Sequence, residues 1–282
     1  MNILYLSIII IGCTVQSVIK KPYADRFQGK GIWFTSLVTS FTAMLFFVLT
    51  SKGLKWDMAL VPYSILFALS YVGASVFGIL AITYGSVSLS SLVTSYSLLV
   101  PMLYGLIFLN DPISKGLFPG LIMLIIAFGL IGKKGEHSSF SLKWVIYVLL
   151  AFICNGMCSV SQKMQQIAFD GAYKNEFMIL ALVIVVLFLG IFTLKEERAD
   201  IRSYCKYGWH VAVVAGIFNG IVNLFVMILS GKMPVSVMFP LISAGGIVMT
   251  YIVSKVLYKE KLTLTQFVGF VLGVLSIVLL NI

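Results

Sequence analysis

A chain of 282 residues that is 60% hydrophobic and only 11% charged lies far from soluble proteins, which are about 45–50% apolar and about 25% charged. The composition places it in a bilayer. Its net charge of +10 would suggest nucleic acid in a soluble protein, but here Lys and Arg fall in connectors and at helix ends, where they anchor and orient spans; no nucleic-acid partner is expected.

A helical span needs about 20 apolar residues. Such runs lie near 2–19, 31–50, 59–83, 86–109, 114–132, 142–162, 176–194, 209–230, 234–257 and 262–281. The expected fold is therefore an all-α integral membrane protein of about ten transmembrane helices. The connectors are too short for a soluble catalytic domain. Residues 1–19 lack a basic leader and a small-x-small cleavage site, so they read as the first span rather than a removable signal.

The first span sets Cys13, Gln16, Ser17 and Lys20 on one face. Residues 20–30 form a basic connector. The second span is rich in Phe, Leu and Thr, and the third carries Tyr71 and Ser75 one turn apart among the small residues Gly73, Ala74, Gly78 and Ala81. Small residues allow helices to approach closely in a membrane.

The fourth span is the most informative. After a break at Tyr84-Gly85 it carries Ser86, Ser88, Ser90, Ser91, Thr94, Ser95 and Ser97, with Pro101 in mid-course and a turn at Asn110-Asp111-Pro112. Lipid cannot satisfy so many hydroxyls, so protein or water must face them. Gly116 and Gly120 then give a small-xxx-small spacing in the fifth span.

In the sixth span Asn155, Cys158, Ser159 and Gln162 share a stripe, and Lys163 is expected to snorkel to the surface. Trp209 and His210 read as an interfacial anchor. Asn219 and Asn223 lie one turn apart in the eighth span; they either bridge helices or line a wet cavity. From Ser230 to Gly269 the pattern of the fourth and fifth spans returns, with Pro234, Pro240, Ser243 and a Lys259-Glu260-Lys261 turn.

All ten acidic residues fall in connectors or at helix ends, so selectivity is expected from neutral hydrogen-bonding groups. Cys154 and Cys158 without further ligands make a poor metal site. No nucleophile, acid or metal constellation lies at depth; no enzyme activity and no cofactor are expected.

A shift of 145 residues lays Cys13–Ser17 on Cys158–Gln162 and the second span on the seventh. A shift of 149 lays Asp111 on Glu260 and Gly120 on Gly269. Two repeats, 1–135 and 136–282, follow. Five spans is an odd number, so the second copy enters the membrane inverted, which places a site near the midplane between the halves. Odd connectors hold 14 Lys and Arg (Lys20, Lys21, Arg26, Lys30, Lys133, Lys134, Lys143, Lys195, Arg198, Arg202, Lys206, Lys255, Lys259, Lys261) against 6 in even ones (Lys52, Lys55, Lys115, Lys163, Lys174, Lys232). By charge alone both termini face outside.

The segments Leu109-Asn110-Asp111-Pro112-Ile113-Ser114 with Gly120, and Tyr258-Lys259-Glu260-Lys261-Leu262-Thr263 with Gln266 and Gly269, resemble the acidic turn, hydroxyl and helix glycine of the EamA-type branch of the drug/metabolite transporter superfamily. The resemblance implies a multi-pass protein of the cell membrane with cytoplasmic termini, opposite to the charge count. It implies a secondary transporter, working as an exporter of a small polar or amphipathic metabolite such as an amino acid. The alternatives are a multidrug exporter, or a non-transporting membrane partner or lipid translocator. The embedded glutamate of smaller relatives has no counterpart; Gln16 is the nearest polar group. Partners are the lipid bilayer and a small-molecule substrate, with oligomeric state open and a monomer compatible.

The candidate substrate-binding residues are Gln16, Tyr71, Ser91, Thr94, Ser95, Asn155, Ser159, Asn219, Asn223 and Ser243. The amides and hydroxyls would hydrogen-bond substrate, with Tyr71 as an aromatic wall. Against this stand a packed Tyr71 and a Ser159 bonded back to its own helix. Gly85, Pro101, Pro234 and Pro240 would flex or kink.

Overall fold

The computed structural model describes residues 2–27, 30–84, 93–94, 96–111, 115–131, 142–258 and 264–280. The helices are α1 (Asn2–Phe27), α2 (Ile32–Thr50), α3 (Val61–Tyr84), α4 (Leu99–Phe108), α5 (Leu117–Ile131), α6 (Leu142–Ala168), α7 (Lys174–Glu196), α8 (Ile201–Ser230), α9 (Val235–Tyr258) and α10 (Leu264–Leu280). Short 3-10 turns precede α3 and α4, and no strand occurs among the described residues. Among the described residues, five stretches are long and apolar enough to cross a membrane: Ile32–Thr50, Met58–Ala81, Leu142–Ala168, Lys174–Glu196 and Ile201–Ser230. Shorter apolar helices include Asn2–Gln16, Leu99–Phe108, Phe118–Ala127 and Val235–Gly246. Large side chains such as Leu49, Ile107, Phe118, Leu187 and Ile191 are left exposed, as lipid-facing surface requires.

Contacts between helix ends sort them onto two faces. On the first, Glu197 after α7 meets the start of α2, Phe27 at the end of α1 meets Tyr204 at the start of α8, and Lys143 at the start of α6 lies over Tyr84 at the end of α3. On the second, Lys55 before α3 meets Glu176 at the start of α7, Phe169 after α6 meets Tyr63, and Asp111 after α4 meets Ser236 at the start of α9. The first face carries the larger share of Lys and Arg and is called the basic face below.

The main helix contacts are kept when α1–α5 are exchanged with α6–α10. The α1/α8 contact becomes α6/α3, α1/α9 becomes α6/α4, and α2/α8 becomes α7/α3, while α2/α7, α4/α9 and α5/α10 map onto themselves. The exchange also swaps faces. Phe27 packs edge-on against Tyr204 at 5.0 Å on the basic face, and Phe169 against Tyr63 at 5.8 Å on the opposite one. Gly31 and Tyr173, the N-cap residues of α2 and α7, both adopt left-handed backbone (φ 76 and 57). Gly31 suits that conformation, and its missing side chain lets Tyr23 Oη reach its carbonyl at 3.2 Å. These pairs set α1 against α6 at a spacing of 142 residues (27 to 169, 31 to 173). The sequence alignment at 145 pairs the same helices about one turn out of register. The proposed boundary between residues 135 and 136 lies outside the described residues.

Three helices are longer than hydropathy alone predicts, and packing explains each. α1 continues through Lys20, Lys21 and Pro22 because Tyr23 and Phe27 dock on Gly208 and Tyr204 of α8. α6 continues to Ala168, where buried Gln165 bonds the Ala172 carbonyl at 2.8 Å. α8 begins at Ile201, so that Tyr204 can receive Phe27. Pro101 is not in mid-helix: it sits in the first turn of α4, directly after the 3-10 turn Tyr96–Leu98, where a missing N–H costs no helical bond. Pro240 does lie inside α9. A core of Ala43, Phe47, Leu60, Phe67, Phe177, Met178, Leu182 and Met227 joins α2, α3, α7 and α8.

Candidate functional site

Four side-chain amides form a ladder across α1, α8 and α6. Gln16 Nε2 bonds the Gly12 carbonyl of its own helix at 3.4 Å. Asn219 Nδ2 donates to Gln16 Oε1 at 3.3 Å. Asn223 Nδ2 donates back to Asn219 Oδ1 at 3.1 Å and to its carbonyl at 2.9 Å. Gln162 Nε2 donates to Asn223 Oδ1 at 2.7 Å. The i, i+4 spacing of the two asparagines puts both on the α8 stripe that faces α1 and α6. Of the two sequence readings, bridging is therefore realised. Only Gln162 is fully buried; Gln16, Asn219 and Asn223 keep part of their surface accessible. An interhelical hydrogen bond in a membrane contributes about 0.6 kcal/mol on average, so the ladder positions helices more than it stabilises them.

Asn155 stands midway along α6, thirteen residues from Leu142 and from Ala168. Its Nδ2 donates to Ser97 Oγ at 2.6 Å, crossing from the second half of the chain to the first. Gly156 permits this approach, because a Cβ there would lie 2.6 Å from the Ser97 carbonyl. Asn155 is nonetheless exposed, and among the described residues its Oδ1 accepts no bond. The part-exposed hydroxyls of Ser159, one turn on, and of Ser243 in α9 likewise have no partner among the described residues. The back-bond predicted for Ser159 is not made; Ser161 makes one instead, to Cys158 O. Mid-span polar groups without protein partners need water or a bound solute, since each unsatisfied group costs several kcal/mol in hydrocarbon.

Tyr71 packs against the core of α2, α3 and α7. Its hydroxyl meets Ser40 Oγ at 3.4 Å and its ring stacks on Phe67; among the described residues it makes no hydrogen bond to the amides. Thr94 is part-exposed and helical. Ser91, Ser95, Gly85 and the Lys259–Thr263 turn lie outside the described residues.

Three residues at the face opposite the basic one have roles the sequence reading missed. Lys163 Nζ donates to the carbonyl of Ser230, the last residue of α8. Asp111 Oδ2 accepts from Ser236 N in the first turn of α9 at 3.1 Å. A cation thus meets the negative end of one helix and a carboxylate the positive end of the next, the favourable sense for both dipoles. Gln162, noted only as part of a stripe, completes the amide ladder. Its distance from Asn223, 61 residues along the chain, is why spacing could not find it.

A cleft of about 390 Å³ separates α1 from α9, lined by Ile11, Thr14, Val15, Ile19, Met249 and Val253 among others. It lies between the two halves but does not include the amides. Among the described residues no group of three His, Cys, Asp or Glu side chains could hold a metal ion.

A comparison with curated proteins gives no match. A solved crystal structure shares the fold: TM-score 0.76, over 99% of this chain and 95% of that one, at 14% identity. The sequence pattern of the EamA-like transporter family matches residues 142–282, the second half of the chain. With ten helices among the described residues, arranged as two inverted halves, the chain belongs to the EamA-like transporter family and is a membrane transporter of the drug/metabolite superfamily.

Proposed function

We propose that the protein exports a small polar or amphipathic metabolite, such as an amino acid, by alternating access. The repeats 1–135 and 136–282 would rock against each other about a site at their midplane, in the cell membrane. Asn155, Ser159 and Ser243 would hydrogen-bond the solute from α6 and α9. The Gln16–Asn219–Asn223–Gln162 ladder would form one wall, and Thr94 with Ser91 and Ser95 another. The observation that carries this reading is Asn155: an exposed amide at the centre of a span, with an oxygen free for a solute. Neutral dipoles rather than charges suit a solute of no net charge, since a buried net charge without a counter-charge is far more costly than a buried amide.

The test is counterflow of labelled amino acids into vesicles containing only this protein. Asn155→Ala should lower flux about tenfold, the order expected from losing one hydrogen bond at a desolvated site, at unchanged protein recovery. Unchanged flux in both Asn155→Ala and Asn155→Leu would remove the site. The apolar cleft between α1 and α9 favours a second reading, export of apolar compounds drawn from the bilayer. Flux of such compounds insensitive to Asn155 would select it.

A further inference from the structure

On the basic face, the end of α1 and the start of α8 enclose a polar recess of about 240 Å³ lined by Arg26, Phe27, Lys30, Asp200, Ser203 and Tyr204. We propose that it binds the phosphodiester headgroup of a phospholipid that also carries an N–H donor, the chemistry of phosphatidylethanolamine.

Charge is the first argument. Two cations and one carboxylate set both signs side by side in the recess, Arg26 and Lys30 for a phosphodiester and Asp200 for an ammonium. None of the three is consumed by the protein: among the described residues Lys30 and Asp200 have no side-chain partner. The Arg26 guanidinium is held 4.0 Å over the Tyr207 ring, which fixes its plane and leaves its N–H edges free.

Asp200 supplies the second argument. It is the N-cap residue of α8, yet its side chain makes no capping bond, unlike Asp57, whose carboxylate accepts from Ala59 N at 2.9 Å. An N-cap aspartate that leaves its own helix uncapped has its carboxylate available to an outside donor. A headgroup placing an ammonium two carbons from its phosphate can meet both charges at once.

Depth supplies the third. Trp209 is 56% exposed on α8, and such residues mark the boundary between hydrocarbon and headgroups. Tyr204 lies five residues closer to the basic face, about 7–8 Å along the helix axis. This is the level of lipid phosphates, outside the hydrocarbon core.

The experiment is native mass spectrometry of the full chain in detergent, titrated with phosphatidylethanolamine and with phosphatidylcholine of the same acyl chains. The ethanolamine lipid should bind about tenfold more tightly, as expected for one charge-assisted hydrogen bond that choline cannot donate. Asp200→Asn, which preserves an N-cap residue, should abolish that preference without lowering Tm. Arg26→Gln with Lys30→Gln should weaken both lipids about tenfold, whereas Lys195→Gln with Arg198→Gln, the same charge change elsewhere on the face, should not. Equal binding of the two lipids, or equal loss in the Lys195/Arg198 control, would overturn the proposal. If the Arg26/Lys30 variant fails to fold, the Asp200→Asn result decides alone. Soluble glycerophosphoethanolamine should compete better than inorganic phosphate; equal competition would assign the recess to free phosphate and overturn the lipid reading.

Discussion

Asn155 and Ser97 meet at 2.6 Å across the two halves of the chain, at the middle of α6 and just ahead of α4. This contact is possible only because Gly156 has no side chain. A Cβ there would meet the Ser97 carbonyl and Val100, backbone and branched groups that cannot swing aside. Gly156→Ala is therefore expected to push α4 from α6 and break the Asn155–Ser97 bond. The expected result is a stability loss of about 1–3 kcal/mol, seen as a lower Tm in detergent, with transport reduced more than tenfold. A variant of wild-type Tm and flux would show that the halves need not approach here.

Asn223 accepts from Gln162 and donates to Asn219, so its role is to join helices. Asn223→Ala leaves Gln162 without its partner inside a buried setting. The expected cost is about 1–2 kcal/mol, read as a lower Tm, with flux falling in the same variant. Asn155→Ala, by contrast, is expected to lower flux with little change in Tm. If the two variants behave alike, the division between bridging and lining amides is wrong.

Asp111 joins the end of α4 in the first half to the start of α9 in the second. Losing such a cap costs about 0.5–2 kcal/mol. Because this link ties the halves at one face only, Asp111→Ala is also expected to favour opening of that face. The check is the rate of labelling of Cys introduced at Met233, part-buried just ahead of α9. Faster labelling in the Asp111→Ala background is the expected result.

Glu197 holds the other face. Its two carboxylate oxygens accept from Trp33 N at 3.2 Å and Phe34 N at 2.8 Å, capping α2 with a charge of the sign its dipole favours. Glu197→Ala should cost about 1–2 kcal/mol, or roughly 2–8 °C in Tm. Glu196→Ala, next to it and exposed, should leave Tm unchanged.

Hydropathy made the helices legible, because apolar runs bounded by charge admit no other reading in a chain this poor in charge. Helix ends were less so: α1 crosses Lys20, Lys21 and Pro22 for the sake of Tyr23 and Phe27 docking on α8, a tertiary contact that local composition does not encode. The repeat was legible in its order of elements but not in register, since Gly31 and Tyr173 set the α1/α6 alignment through backbone conformation rather than residue identity. Asn219 and Asn223 stood out because amides are costly in a span. Their partners Gln16 and Gln162 lie in other helices, so pairing waited on the fold. Lys163 shows the limit most clearly. Its length suits snorkelling, but the acceptor it finds, the Ser230 carbonyl at the end of α8, lies 67 residues along the chain, and no sequence pattern names it.

The most direct test is water access at the midplane. In a chain with Cys13, Cys154, Cys158 and Cys205 replaced by Ser, Asn155→Cys is labelled in membranes with a charged, membrane-impermeant methanethiosulfonate, beside Ile153→Cys on the exposed outer surface of α6. Thiolate chemistry needs water, so the account predicts rapid labelling at position 155 and none at 153. Equal resistance at both positions would mean that no aqueous cavity reaches Asn155.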